Sequence, residues 1–193
     1  MNNTFKTLLE ICDENNLRLN ENTKWGSMKF YQHPYADLYE KLLKPYHNLN
    51  INLLEIGAYY GASAIIWDKY FPKANIIVVD IEERNSIENI KDRVDESRTK
   101  IVISDAYSMD FVNSLPMLDV VNDDGPHTLE SQIKCIELYY DKLKPGGIII
   151  IEDILLQEYF DIFISKLPEN AKYECHNLSS SGVSDSRVFV LWK

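Results

Sequence analysis

From residue 51 onward the chain alternates short apolar runs with amphipathic segments, and this alternation constrains the fold more than any other feature. The apolar runs cover 51–56, 75–79, 100–104, 118–121 and 147–151. They are near-continuous Ile, Val and Leu rather than alternating, as in strands covered on both faces. Helical spacing is read between them at 61–70, 87–94, 107–115 and 128–143. Strand and helix taking turns implies right-handed crossovers and a parallel sheet. The tail departs from the rhythm. After a helix at 155–167, the segments 173–178 and 187–192 read as two strands joined through Ser179-Ser180-Ser181-Gly182, so at least one strand runs antiparallel.

The 50 residues before this region differ in composition. They are aromatic and polar, with helices expected at 4–15 and 34–44, the second opening at Pro34 and ending at Pro45. Two units follow: an N-terminal helical extension, 1–50, and an α/β domain, 51–193.

Each of the five strands ends in an acid or a glycine turn: Glu55 with Gly57, Asp80, Asp105, Asp123-Asp124, and Glu152-Asp153. Ligands of open α/β sheets bind outside the carboxyl ends of the strands, so these acids line one edge. A strand-end Asp can also serve only to cap the next helix, but five in register exceed what capping requires.

The charge balance narrows the ligand. With 20 basic and 30 acidic residues the net charge is −10. That field disfavours long nucleic acids and anionic membrane surfaces, and suits a small neutral or cationic substrate. Cys12, Cys135 and Cys175 form no disulfide or zinc pattern. With no basic and apolar leader at Met1-Asn2-Asn3-Thr4, a cytoplasmic protein is expected. The 12 tyrosines leave room for a homo-oligomer interface.

The first turn, Glu55-Ile56-Gly57-Ala58-Tyr59-Tyr60-Gly61-Ala62-Ser63, lets the backbone bend tightly at Gly57 and Gly61. It lacks the middle glycine of the dinucleotide fingerprint, which weighs against a nicotinamide dehydrogenase. Glu-x-Gly-x-x-x-Gly resembles motif I of class I S-adenosylmethionine-dependent methyltransferases. In the same family's pattern, Asp80 resembles the acid that holds the cofactor ribose, with Ile81 beside it. Asp105-Ala106 resembles the pair that meets adenine, and Lys144-Pro145-Gly146-Gly147 the turn before the fifth strand. The resemblance covers about 50–192. It implies a doubly wound Rossmann-like fold: a mostly parallel seven-stranded sheet with one antiparallel strand, helices on both faces, and a helical lid from the extension. It also implies cofactor contacts from Glu55, Gly57, Ala58, Tyr59, Gly61, Ser63, Asp80, Ile81, Asp105, Ala106 and Asp123.

Asp123-Asp124-Gly125-Pro126-His127 and Ile151-Glu152-Asp153-Ile154 resemble signatures of metal-dependent sugar O-methyltransferases of the mycinamicin type. Thr23, Gly26, Ser27, His33, Tyr35 and Tyr39-Glu40 are similar to a further segment of that group. Lys24 and Trp25 stand where the group has Asp and Lys, and Pro126 replaces a Ser. The resemblance implies a small hydroxylated acceptor such as a sugar or glycosylated compound. It leaves N-methylation, or a non-catalytic cofactor-binding or assembly role, as alternatives.

A metal is supported on physical grounds as well. Asp124, Glu152 and Asp153 end two strands that should be neighbours, and three unpaired carboxylates there would repel. A hard cation, Mg²⁺ or Mn²⁺, relieves this. The competing reading has Asp123 or Asp124 capping the helix near Pro126, with Glu152 and Asp153 hydrated. His127 is the candidate general base beside Asp124, since its ordinary pKa suits proton removal near neutral pH; alternatively it is a helix-start histidine.

Overall fold

The structure is a computed structural model, and it describes residues 5–18, 26–179 and 185–193. Thr23, Lys24, Trp25 and the Ser180-Ser181-Gly182 linker lie outside the described residues.

Seven strands form one sheet: β1 (Asn52–Ile56), β2 (Asn75–Asp80), β3 (Thr99–Ile103), β4 (Leu118–Asp123), β5 (Leu143–Ile151), β6 (Lys172–Asn177) and β7 (Arg187–Trp192). Their order is β3-β2-β1-β4-β5-β7-β6. The first five are mutually parallel, and β7 is antiparallel to both of its neighbours. Described helices are α1 (Leu8–Glu14), α2 (Ala36–Leu43), α3 (Ala62–Tyr70), α4 (Ser86–Ile90), α5 (Met109–Ser114), α6 (Leu129–Tyr139) and α7 (Tyr159–Ile164). None is long and apolar enough to cross a membrane.

The unbroken isoleucines of β5 now have a reason. Ile148 and Ile150 pack into the core on one face of the sheet, and Ile149 and Ile151 into the core on the other. All four are fully buried. Burying each side chain stabilises the fold by about 1.5–3 kcal/mol, so this strand is a main anchor.

The extension shares one of these cores. Leu8, Ile11, Leu17, Phe30, Tyr35, Tyr39 and Leu43 pack with Trp67, Tyr70 and Ile150. Aromatic rings knit it together: Tyr39 stacks on Trp67 at 6.0 Å, and Phe30 meets Trp67 edge-on at 6.3 Å. The described part of the 1–50 region is therefore joined to the sheet through common packing.

Several helices are shorter than their sequence patterns. α4 ends at Ile90, and Asp92 turns left-handed at φ 58°, stopping the helix expected to reach 94. α6 ends at Tyr139 because Leu143 already pairs with Leu118 in the sheet. The 155–167 helix reduces to α7, since Ile154 and Leu155 are held by Arg187: Ile154 N donates to its carbonyl, and its Nη1 donates to the Leu155 carbonyl at 2.8 Å. β4 runs longer than expected, so Asn122 and Asp123 lie within the strand.

Candidate active site

The chain reverses direction across the sheet between β1 and β4, and a cavity of about 610 Å³ opens at their carboxyl ends. This is the expected position for a ligand in a doubly wound sheet, and the volume suits a small molecule. Gly57, Ala58, Tyr59, Ser63, Asp80, Ile81, Asp105, Ala106, Asp124, His127, Glu152 and Asp153 all line it. So do Gly26, Ser27, Met28, Lys29 and His33, which close it from the N-terminal side.

Glycine is required at the first turn. Gly57 has φ +100°, and a Cβ there would stand 2.0 Å from the Asp124 carbonyl oxygen. Gly61 has φ +88°, and a Cβ would meet Ile90 and the Ser86 carbonyl at 2.8 and 2.9 Å. Gly61 shapes the turn without lining the cavity. Asp80 fixes the turn from the neighbouring strand: its Oδ2 accepts the Ala58 and Tyr59 amides, each at 2.9 Å, and its Oδ1 accepts Glu82 N at 3.0 Å. Asp105 accepts the Tyr107 amide at 2.9 Å. Tyr59 (50% exposed) and Ile81 (71%) project at the rim.

The strand-end acids are not helix caps. α5 is capped by Ser108, and α6 by Thr128 in a capping box with Ser131; α4 follows Asn85 and α3 follows Gly61. The acids of this edge thus serve purposes other than capping.

Two sequence candidates stand behind the cavity wall. Glu55 is 0% exposed. Its Oε1 accepts Asn122 Nδ2 at 3.1 Å, and its Oε2 is buried and makes no hydrogen bond of ordinary length among the described residues. Asp123 accepts the Tyr107 hydroxyl at 3.0 Å and Gly125 N at 3.3 Å. Burial pushes the Asp123 carboxyl up to about 6.

Asp124, Glu152 and Asp153 do converge, but they are not equivalent. Glu152 Oε1 accepts Tyr39 OH at 3.0 Å and Asn122 Nδ2 at 2.9 Å, and it is in close contact with the Lys29 ammonium. Lys29 Nζ also donates to Asp124 Oδ2 at 2.9 Å and lies 3.7 Å from Glu55 Oε1. Burial works against a charge on Lys29, but the carboxylates of Asp124, Glu152 and Glu55 outweigh it and hold its pKa above the ordinary value. Asp153 points its oxygens elsewhere. Oδ1 accepts the Tyr35 hydroxyl at 2.5 Å and lies 3.4 Å from His33 Nδ1. Oδ2 lies 3.8 Å from His127 Nε2, which is 3.7 Å from Asp124 Oδ1.

Ligand atoms of Asp124, His127 and Asp153 thus lie within 4.8 Å of one another, as do those of Glu55, Asp124 and Glu152. The outer trio, half-exposed to the cavity, fits a divalent cation in donor type and spacing. Burial and the neighbouring Asp124 raise the Asp153 pKa, so a cation there would relieve a real electrostatic cost. Asp153 and His127 are also strained, with left-handed φ of 54° and 57°. Such strain in non-glycine residues gathers at functional sites.

Sequence reasoning missed Lys29 and Asn122. Their signals were present: a lysine inside the aromatic run Met28-Lys29-Phe30-Tyr31, and an amide interrupting the apolar strand after Val120-Val121.

Known proteins share this architecture. The demethyl-rhamnosyl tetracenomycin-C 2'-O-methyltransferase of Streptomyces olivaceus is 29% identical over 140 residues, covering 67% of this chain and 35% of its own. Demethylmacrocin O-methyltransferase of Streptomyces fradiae is 28% identical over 165 residues, covering 77% and 39%. The chain therefore spans little more than a third of the length of these relatives. The MycE methyltransferase from the mycinamycin biosynthetic pathway, solved in complex with Mg and SAH, shares the fold. Its TM-score is 0.69 at 21% identity, covering 97% of this chain and 55% of that one. The family model described as a methyltransferase domain matches residues 54–154, more than half of the sequence and every strand-end acid described above. The chain belongs to this methyltransferase-domain family.

Proposed function

We propose that the chain is an S-adenosylmethionine-dependent O-methyltransferase acting on a small hydroxylated acceptor of the sugar type, with a divalent cation assisting. The observation that carries this reading is that one cavity joins the Gly57 turn and Asp80 on one side to Asp124, His127 and Asp153 on the other. The kinship with enzymes named as O-methyltransferases of glycosylated compounds supports the acceptor class.

The cofactor supplies an electrophilic methyl group. The Gly57–Ser63 turn would receive its amino-acid portion, Asp80 its ribose and Asp105-Ala106 its adenine, while Glu55 and Asp123 support the floor from behind. A cation held by Asp124 and Asp153 would acidify an acceptor hydroxyl. His127 is open to the cavity and takes the hydroxyl proton at Nε2. Asp124 Oδ1 and Asp153 Oδ2, both within 4 Å of that nitrogen, keep His127 beside the position the acceptor would take. Gly26, Ser27, Met28, Lys29 and His33 line the cavity and would shield a bound acceptor from water, which strengthens each of these interactions.

Isothermal titration with S-adenosylmethionine and S-adenosylhomocysteine, with and without Mg²⁺, tests the reading. Micromolar binding of both is expected. No binding under either condition overturns it.

A further inference from the structure

We propose that Lys29 is a resident cation of this site. Its ammonium fills the inner part of the acid cluster, between Glu55, Asp124 and Glu152, and leaves a divalent cation at most the outer position at Asp124 and Asp153. The inference deepens the cation part of the proposed function and is independent of cofactor and acceptor.

Three observations carry it. First, Lys29 is 3% exposed in its side chain and sits among three carboxylates. An ammonium is buried so deeply only where carboxylates compensate it. Second, Glu152 is tied to the inner position: its Oε1 receives Lys29 and Asn122 Nδ2 and shares the Tyr39 hydroxyl with Asn122 Oδ1. Third, Asp124 divides its oxygens: Oδ2 accepts Lys29 at 2.9 Å, while Oδ1 is on the His127 side, 3.7 Å from Nε2. The inner and outer positions thus share one residue but use different atoms of it.

The inner position is otherwise well formed for a cation. Glu55, Asp124 and Glu152 place ligand atoms within 4.8 Å of one another. Glu55 Oε2, fully buried, makes no hydrogen bond of ordinary length among the described residues, though the Ser63 and Trp67 side chains lie near its carboxylate. Removing the lysine should therefore expose a latent divalent site with three carboxylates.

The test is Mn²⁺ titration, read by the electron paramagnetic resonance of free Mn²⁺, together with thermal melting. It uses the full chain as wild type, Lys29→Met, Glu152→Gln and Asp153→Asn, without cofactor or acceptor. Lys29→Met should melt lower than wild type in chelator and regain stability with Mn²⁺. It should bind Mn²⁺ about tenfold more tightly or better, since affinity follows the number of charged ligands. With Lys29 present, Glu152→Gln should leave Mn²⁺ affinity unchanged, and Asp153→Asn should weaken it. Equal Mn²⁺ binding by wild type and Lys29→Met overturns the proposal. Glu152→Gln weakening binding as much as Asp153→Asn also overturns it, because Lys29 would then yield its place to the metal. If Lys29→Met does not fold even with Mn²⁺, the Glu152 and Asp153 variants decide. Binding by Lys29→Met alone, with none by wild type, supports the resident lysine and removes metal assistance from the proposed function.

Discussion

The two halves of the cavity are built by different means. On the β2–β3 side, the cavity-lining acids bind backbone: Asp80 holds the Ala58 and Tyr59 amides, and Asp105 holds the Tyr107 amide. On the β4–β5 side, the cavity-lining acids Asp124, Glu152 and Asp153 bind side chains from far away in sequence. Lys29 reaches Asp124 across 95 positions and Glu152 across 123, and Tyr35 reaches Asp153 across 118. A backbone-bound acid shapes a turn and leaves the opening clear. A side-chain-bound acid has its charge and orientation set by whatever the other segment supplies. The first half is suited to a constant ligand, and the second can be retuned by changing residues 26–39.

This contrast can be broken by mutation. The largest effect is expected at the seam. Gly57→Ala forces a Cβ to within 2.0 Å of the Asp124 carbonyl at φ +100°. It should cost about 3 kcal/mol or more of stability, read as a drop in denaturation midpoint, and abolish S-adenosylhomocysteine binding. Retention of both would mean the halves are not rigidly joined. His127→Gln should lower turnover by about 10²–10⁴-fold while cofactor affinity holds. A matching loss of affinity would place His127 in the cofactor half instead. Tyr39→Phe removes a hydroxyl that donates to Asn122 Oδ1 at 2.6 Å and is shared with Glu152. Its cost should be about 1.5–3 kcal/mol in urea denaturation, because the bond is buried and partly to a charge. Asp80→Asn is the mildest. One oxygen still accepts an amide, so stability should fall by only about 1 kcal/mol. Cofactor affinity should drop more than stability does, as titration and melting on one sample would show.

The same contrast explains what the sequence made legible. The strands, their parallel run and an antiparallel strand in the tail followed from local apolar runs and their punctuation; that the reversed strand is the last one followed from the family resemblance. The Gly57–Gly61 turn and Asp80 were readable because their partners are near in space through an ordinary crossover. Convergence of Asp124, Glu152 and Asp153 was readable from strand adjacency. Their inequality was not, because it depends on Lys29, whose pairing no local pattern encodes. Glu55 and Asp123 show the related limit. Period-two alternation says which residues share a face of β1 or β4, but depth relative to the cavity wall is set by the β1–β4 pairing of Glu55 with Asn122 and Ile56 with Asp123. Helix ends at Ile90 and Tyr139 were displaced by tertiary pairing and a left-handed residue, neither of which enters helical spacing.

The contact between Gly57 and the Asp124 carbonyl works as a ruler. Main chain meets main chain there, and Asp124 N donates to the Ile56 carbonyl at 2.9 Å. The span from the glycine turn to the far edge of the cavity is therefore set by backbone packing and a backbone hydrogen bond, with no side chain to lengthen or shorten it. Descendants of this chain could exchange acceptors by rewriting the 26–33 segment and never disturb that distance. The same rigidity forbids even a single added methyl group at the seam.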